Sequence, residues 1–338
     1  MTRLHLSPIF NSGEKERTLS SRRQGNRMRA RFKLFFLSAL CLLLIRPCHA
    51  GEKKPFWSRF SLKVTAGLGS DLPMGDVNDC LASFNNNEVF EAHREVGTGQ
   101  VVGEIKTLGT GVFHGEAELR FDLTPRISFG IATSVPIRKR NESSVTYTIV
   151  GWAGPQVMTW TFRPDNKISY PIRLSAYYTL PLIRRLSISI GGGVGFYSAK
   201  ISQFFRFDKI SPIGKLSWST WDQVAERNFA FGFHGNVVFE YLLNNRLGFV
   251  AEFQYGLTKI SGFKGKLKSV NEHGDSFEKD GTLYYFTEWN YYIGTRHATL
   301  EIFKAPPEGG VRWINDLREA ALDLSGYSMR LGINIRLF

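Results

Sequence analysis

The stretch FHGEAELRFDL (residues 113–123) carries four charges in eleven residues, yet every second position is apolar or small. Phe113, Gly115, Ala117, Leu119, Phe121 and Leu123 fall on one side of an extended strand, while His114, Glu116, Glu118, Arg120 and Asp122 fall on the other. Which of these faces meets water decides what kind of protein this is.

The same two-residue alternation recurs along the chain. Residues 60–69 set Phe60, Leu62, Val64, Ala66 and Leu68 against Ser61, Lys63, Thr65 and Gly67. Further segments follow at 127–138, 170–180, 186–197, 229–241, 247–258 and 327–337, giving eight predicted strands with the opening one. Three connections, TPR, PLIRR and LLNNR, are a few residues long. The other four run to about 25 to 65 residues, within the usual uncertainty of element ends. The long connections therefore share one end of an all-β, up-and-down antiparallel barrel. Short periplasmic turns opposite long extracellular loops mark transmembrane barrels of the outer membrane.

Alternation by itself does not separate that barrel from a soluble one, whose apolar face points inward. Three features favour lipid. The apolar faces are broad and aromatic, as in NFAFGFHGNVVFEY, whereas the opposite faces are rich in Gly and Ser with a few charges of both signs. The long connections are one-sided. The N-terminus also reads as an export signal. On this reading Phe113, Leu119, Phe121, Phe231, Phe233, Phe249 and Phe253 face lipid. Lys63, Glu116, Glu118, Arg120, Asp122, Arg173, Glu240 and Glu252 form a polar network in the lumen, with Lys63, Arg173, Arg330 and Arg336 as candidate cationic partners.

The export signal comprises RMRARFK, the twelve-residue apolar core LFFLSALCLLLI, and RPCHA before a cut between Ala50 and Gly51. That core is shorter than the roughly 20 residues of a spanning helix. Residues 1–50 are thus read as a signal peptide, with residues 1–27 as an over-extended start ahead of Met28, and residues 51–338 as the barrel domain. The formal charge of +13 invites a nucleic-acid reading, but residues 1–50 hold ten of the 43 Lys and Arg and only two of the 30 acidic residues. The remainder has 33 basic and 28 acidic residues, so nucleic acid is not expected as a partner. After cleavage Cys80 is the single cysteine left, and an internal disulfide is impossible.

ISIGGGVGFY (188–197), FVAEFQYGLTKISGFKG (249–265) and LDLSGYSMRLGINIRLF (322–338) resemble the eight-stranded outer-membrane β-barrels of bacteria, the broad group of OmpW-like and OmpA-like proteins. The resemblance spans the mature chain and specifies a fold, not a reaction. It implies a monomer in the bacterial outer membrane, in contact with outer-membrane lipids and lipopolysaccharide. It further implies recognition of a terminal aromatic by the outer-membrane assembly machinery during biogenesis. Phe338 is terminal but shares the parity of Arg336 and Asn334, which departs from the in-phase ending of such barrels.

No catalytic, cofactor or metal site is expected. IGGGVG lacks GxGxxG spacing and no helix follows it, so its glycines are read as small lumen residues. The mature histidines include no HExxH pair and there is no paired Cys. His114 with Glu116 and Glu118, or His234 with Glu240, could form part of an acid–base set, but no serine stands beside them in a nucleophile setting. Ile314, Leu317, Ala321 and Leu324 follow helical spacing, which predicts a short helix in the last long loop. SSVTYTIVGW and QVMTWTF either extend strands three and four or form an extra hairpin. The leading expectation is a structural role or passive passage of a small solute; the alternatives are surface binding through aromatic loops such as SWSTW (217–221) and TLYYFTEWNYY (282–292), and lipid A modification.

Overall fold

The computed structural model describes residues 56–70, 74–85, 100–109, 111–151, 154–214, 216–290, 295–307 and 314–337. All belong to one compact unit, Lys54–Phe338. The predicted signal peptide, its cut at Ala50 and Gly51, and Phe338 lie outside the described residues.

A short 3-10 turn, Phe56–Arg59, leads into β1 (Phe60–Ser70), followed by helix α1 (Asp76–Phe84) and β2 (Val101–Gly103). Next come β3 (Val112–Asp122), β4 (Ile127–Ser134), β5 (Ile137–Arg140), β6 (Ser143–Gly151), β7 (Gly154–Ile183), β8 (Leu186–Ile210) and β9 (Leu216–Leu242). The chain ends with β10 (Leu247–Leu257), β11 (Lys259–Ser261), β12 (Lys264–Asn271), β13 (Ser276–Asn290), β14 (Thr295–Phe303), β15 (Ile314–Glu319), β16 (Ala321–Asp323) and β17 (Gly326–Arg336).

Eight of these strands pair in a closed ring, β1–β3–β4–β7–β8–β9–β10–β17 and back to β1, antiparallel at every step. The terminal strand seals it in register, from Ser61 opposite Arg336 to Ser70 opposite Tyr327. The eight predicted segments undercount the sheet, which has fifteen strands among the described residues, with a further two-stranded pair β11–β16 beside it. The extra strands grow from the ring end opposite the three short turns. β7, β8 and β9 run for 30, 25 and 27 residues, far past the ring, and β6, β12, β13 and β14 widen this projecting head. Most of the long connections are thus strand rather than loop. SSVTYTIVG and QVMTWTF do form the extra hairpin, β6 on β7, from Ser143 opposite Phe162 to Gly151 opposite Gly154.

The helix predicted in the last long loop is absent: residues 314–319 pair with β13 and residues 321–323 with β11. A short apolar segment fits helix or strand by spacing alone, and here available strand edges take it. Asp316, at φ 53°, breaks the run, and Ala320, Ala321, Leu322 and Leu324 turn into the head's core. That core gathers Met74, Val77, Cys80 and Leu81 of the α1 region with Phe162, Ile168 and Ile201 of the long strands, Ile260 and Phe263, and Leu283 and Ile302 of β13 and β14. The aromatic run 282–292 contributes Leu283 and Tyr285 to it, while the buried Tyr284 and Phe286 pack on Phe303.

Candidate functional site

Seven charged side chains meet inside the ring. Lys63 of β1, wholly buried, places its ammonium 2.5 Å from Glu118 and 2.7 Å from Glu252. Arg120 holds the other oxygen of Glu118 at 2.8 Å. Arg330 bridges Glu116 at 2.7 Å and Glu252 at 2.9 Å, while Arg173 pairs with Glu116. Neutral groups close the web: Tyr177 donates to Glu118 at 3.0 Å, Asn236 to Glu252 at 2.7 Å, and Arg173 to Gln254 at 2.8 Å. Charges taken from water survive when paired and hydrogen-bonded, and here every carboxylate has at least two cationic or hydrogen-bonding partners.

The backbone pattern explains the assembly. Lys63 lies directly opposite Glu118 across the β1–β3 pair, and Glu252 opposite Arg330 across β10–β17, so opposite charges on the inward face are cross-strand neighbours. Small residues supply the room. A Cβ at Gly130 would collide with the Glu118 carboxylate, and one at Gly191 with the Tyr177 ring. The IGGGVG run therefore serves the lumen, as its spacing suggested.

Six of the eight predicted lumen residues, Lys63, Glu116, Glu118, Arg120, Arg173 and Glu252, belong to this web. Glu240 is buried nearer the short turns, accepting from Asn334 at 3.0 Å with Arg336 at 4.0 Å. Asp122, the last residue of β3, is half-buried beside the turn. On the other face Phe113, Leu119, Phe231, Phe233, Phe249 and Phe253 are exposed as predicted. Phe121 is half-buried instead, because its ring packs on Phe60 at 5.1 Å and Phe56 at 5.9 Å. Tyr177, Asn236 and Gln254 fall on the polar faces by alternation but are not assigned to the network from sequence, since a single neutral side chain on a strand carries no sign of its distant partner.

One serine missed in the sequence does stand beside a histidine: Ser175 Oγ lies 2.9 Å from His234 Nε2. Among the described residues His234 Nδ1 has no hydrogen-bond partner and no third group orients the ring as a nucleophile–base pair requires. Among the described residues no three His, Cys, Asp or Glu side chains converge as a metal-ligand set. Above the web lies a cavity of about 60 Å³, bounded by His114, Glu116, Arg173 and Arg330 below and by Tyr197 and Leu324 above.

Along the long strands the two faces exchange character at one level. Below it, β8 points Gly191, Gly193 and Gly195 inward and Ile190, Val194 and Phe196 outward; above it, Ala199 and Ile201 point inward and Lys200 and Ser202 outward. In β7 and β9 a register shift accompanies the change, between Ser169 and Ile172 and opposite Tyr197 to Ala199. An extra residue flips the side-chain parity of everything beyond it. The inward set of β7 thereby passes from Arg173, Ser175 and Tyr177 to Ile168 and Phe162, and that of β9 from His234 and Asn236 to Ala225 and Gln223. The ring is polar inside and apolar outside; the head is mainly apolar inside, with Asn166, Gln203 and Gln223 buried among the apolar residues, and mainly polar outside.

Neither a protein-family model nor a curated protein matches the sequence. Among solved structures the chain is similar to the outer membrane protein OprG from Pseudomonas aeruginosa, at 8% identity and TM-score 0.33, over 82% of this chain and 94% of that one. It is also similar to the outer membrane protease OmpT from Escherichia coli, at 9% identity and TM-score 0.25, over 84% and 99%. A third likeness is to a Pseudomonas aeruginosa FadL homologue, at 8% identity and TM-score 0.19, over 82% and 90%. At these scores none of the three bears on what this chain does.

Proposed function

We propose that the chain is a bacterial outer-membrane β-barrel of the OmpW-like or OmpA-like kind, exported by its N-terminal signal, with the eight ring strands crossing the bilayer. Its role is structural: a sealed barrel that carries a folded head on the cell surface. The observation that carries this is the exchange of faces. Outward side chains are apolar over the eleven residues 186–196 of β8 and from Tyr327 to Ile335 of β17, matching the roughly 9 to 11 residues a tilted strand needs to cross hydrocarbon. In that medium each unpaired backbone group costs several kcal/mol, and the closed ring leaves no edge. Soluble monomers rarely expose contiguous apolar patches above a few hundred Å², whereas this belt surrounds the ring.

The buried web, with Met74, Leu324 and the rest of the head's core stacked over it, supports the reading of a sealed lumen. Passive passage of a solute through the ring is accordingly the weaker reading, and no catalytic step is assigned. The chain acts as a monomer whose partners are outer-membrane lipids, lipopolysaccharide and, during biogenesis, the assembly machinery. Outer-membrane fractionation with heat-modifiable gel migration tests barrel and location together. Planar-bilayer recording tests the seal: no stable conductance is expected, and a large steady one would overturn it.

A further inference from the structure

Immediately above the apolar belt, the outward faces of β5, β7 and β8 carry an unbalanced cluster of cations. Arg138 lies directly opposite Lys167, and Lys167 directly opposite Lys200, across two successive strand pairs. Arg140 sits one outward position beyond Arg138, opposite Asp165. Ile137, Ile168 and Ala199 are buried between these positions, which fixes the cations on the outer surface, where Arg138, Arg140, Lys167 and Lys200 are all exposed. Two carboxylates stand against it: Asp165, gripped by Arg138 Nε at 2.8 and 3.1 Å, and Glu226, directly opposite Lys200 across the β8–β9 pair. Like charges directly opposite on neighbouring strands destabilise a sheet, so this row is held at a cost that a bound anion removes.

The imbalance is particular to this sector. Lys264, Lys266 and Lys268 form a comparable outward stripe on β12, but Glu226, shared with Lys200, lies opposite Lys264, Asp280 opposite Lys266, and Asp222 and Glu278 flank Lys268. That stripe is neutralised within the protein. The β5–β7–β8 cluster has four cations to two carboxylates, and one of these, Glu226, also faces Lys264.

Its height is the second constraint. Lys200 is four residues above Phe196, the last outward aromatic of the β8 belt, a rise of about 13 Å at 3.3 Å per residue before tilt. The half-buried Ser169 and Ser198, opposite each other, lie between belt and cations. A lipid whose acyl chains lie against Ile172 and Phe196 brings its headgroup to this level. Guanidinium and ammonium groups bind phosphate by charge-assisted hydrogen bonds.

We propose that this cluster, Arg138, Arg140, Lys167 and Lys200, is a binding site for the phosphorylated headgroup of an outer-leaflet lipid, the phosphates of lipopolysaccharide. The assignment rests on the membrane reading above and deepens it by naming where that lipid is held.

The test uses purified protein in detergent, titrated with lipid A bearing both phosphates, with the same lipid dephosphorylated, and with inorganic phosphate, and followed by native mass spectrometry. The phosphorylated lipid should bind at least tenfold more tightly than the dephosphorylated one. Lys167→Gln with Lys200→Gln should remove that preference, while Lys266→Gln with Lys268→Gln on β12 should leave it intact. Equal binding of both lipids, or a preference that survives the first double variant or is lost equally in the second, overturns the site. Inorganic phosphate displacing lipid at matched concentration reassigns the cluster to a free anion and overturns the lipid assignment. Heat-modifiable migration of each variant reports folding. If the wild type shows none in the outer-membrane fraction, the membrane reading itself fails; a normal band with unselective lipid binding removes only this site.

Discussion

Replacing Lys63 with Met probes the lumen web at its centre. At 2.5 and 2.7 Å, each Lys63–carboxylate contact has a raw Coulomb attraction of about 6 kcal/mol at an effective dielectric near 20. Desolvation of the ammonium offsets most of this. Breaking a buried ion pair typically costs about 3 to 5 kcal/mol. The geometry places Lys63→Met at the lower end, about 3 kcal/mol, because Glu118 keeps Arg120 and Glu252 keeps Arg330. Charge balance points the same way: Lys63, Arg120, Arg173 and Arg330 face Glu116, Glu118 and Glu252, and losing Lys63 leaves three against three. Glu252→Gln should be costlier, about 4 kcal/mol, since it leaves four cations on two carboxylates. The double variant restores the single positive excess, so its cost should fall short of the sum by at least about 1 kcal/mol. Equilibrium urea unfolding in lipid vesicles, read by tryptophan fluorescence and heat-modifiable migration, measures all three. Single costs below about 1 kcal/mol, or strict additivity, would refute the idea that the web acts as one charge-coupled unit.

Leu331→Arg, at the middle of the outward face of β17, should destabilise the vesicle-inserted protein by about 2 to 4 kcal/mol, the cost of a cation at the bilayer midplane; an unchanged urea midpoint would place that face outside hydrocarbon. Arg318 joins Asp76 of α1 at 2.7 Å and covers the Tyr285 ring at 3.9 Å. Arg318→Gln should therefore raise amide exchange in residues 76–84 several-fold while leaving ring strands protected, and uniform protection would show that the pair holds nothing down. Burial pushes the Cys80 thiol up to about 12, so maleimide at pH 8 should modify Cys80 at least about a hundredfold more slowly in folded protein than in denaturant. Peptide mapping reads this, and comparable rates would mean that α1 is not packed as described. On the head, Arg138 holds the Asp165 carboxyl below the usual carboxylate range. This contribution is present above the ordinary carboxylate pKa and disappears as pH falls through the depressed value, so carboxyl titration by NMR should show Asp165 protonating after exposed carboxylates; protonation alongside them would dismiss the pair.

The ring was legible because its rule is local: Phe113 to Leu123 and Gly191 to Tyr197 announce two faces in a handful of residues. Even the cationic partners of the web could be named, since a charge on an inward face needs an opposite charge within reach. Which carboxylate Lys63 meets depends on the stagger between β1, β3 and β10, a property of ring closure and of no single segment. The head was missed for a related reason. Residues 198–210 continue the alternation of β8 with its polarity reversed, so a search for one apolar parity stops at Tyr197 although the strand does not. The parity flips in β7 and β9 hide the continuation further. Residues 314–324 misled in the opposite direction, because an apolar residue every three or four positions is compatible with two short strands when edges of β13 and β11 await them.

Strands that pass unbroken from ring to head also set a mechanical relation between the two. β8 continues fourteen residues beyond Phe196, a reach on the order of 40 Å at 3.3 Å per residue, and it is hydrogen-bonded to both neighbours along most of that length. Nothing along this shaft can act as a swivel. A force applied at its tip loads many ladder bonds in shear at once, so whatever the tip touches is presented at a fixed height and angle above the ring.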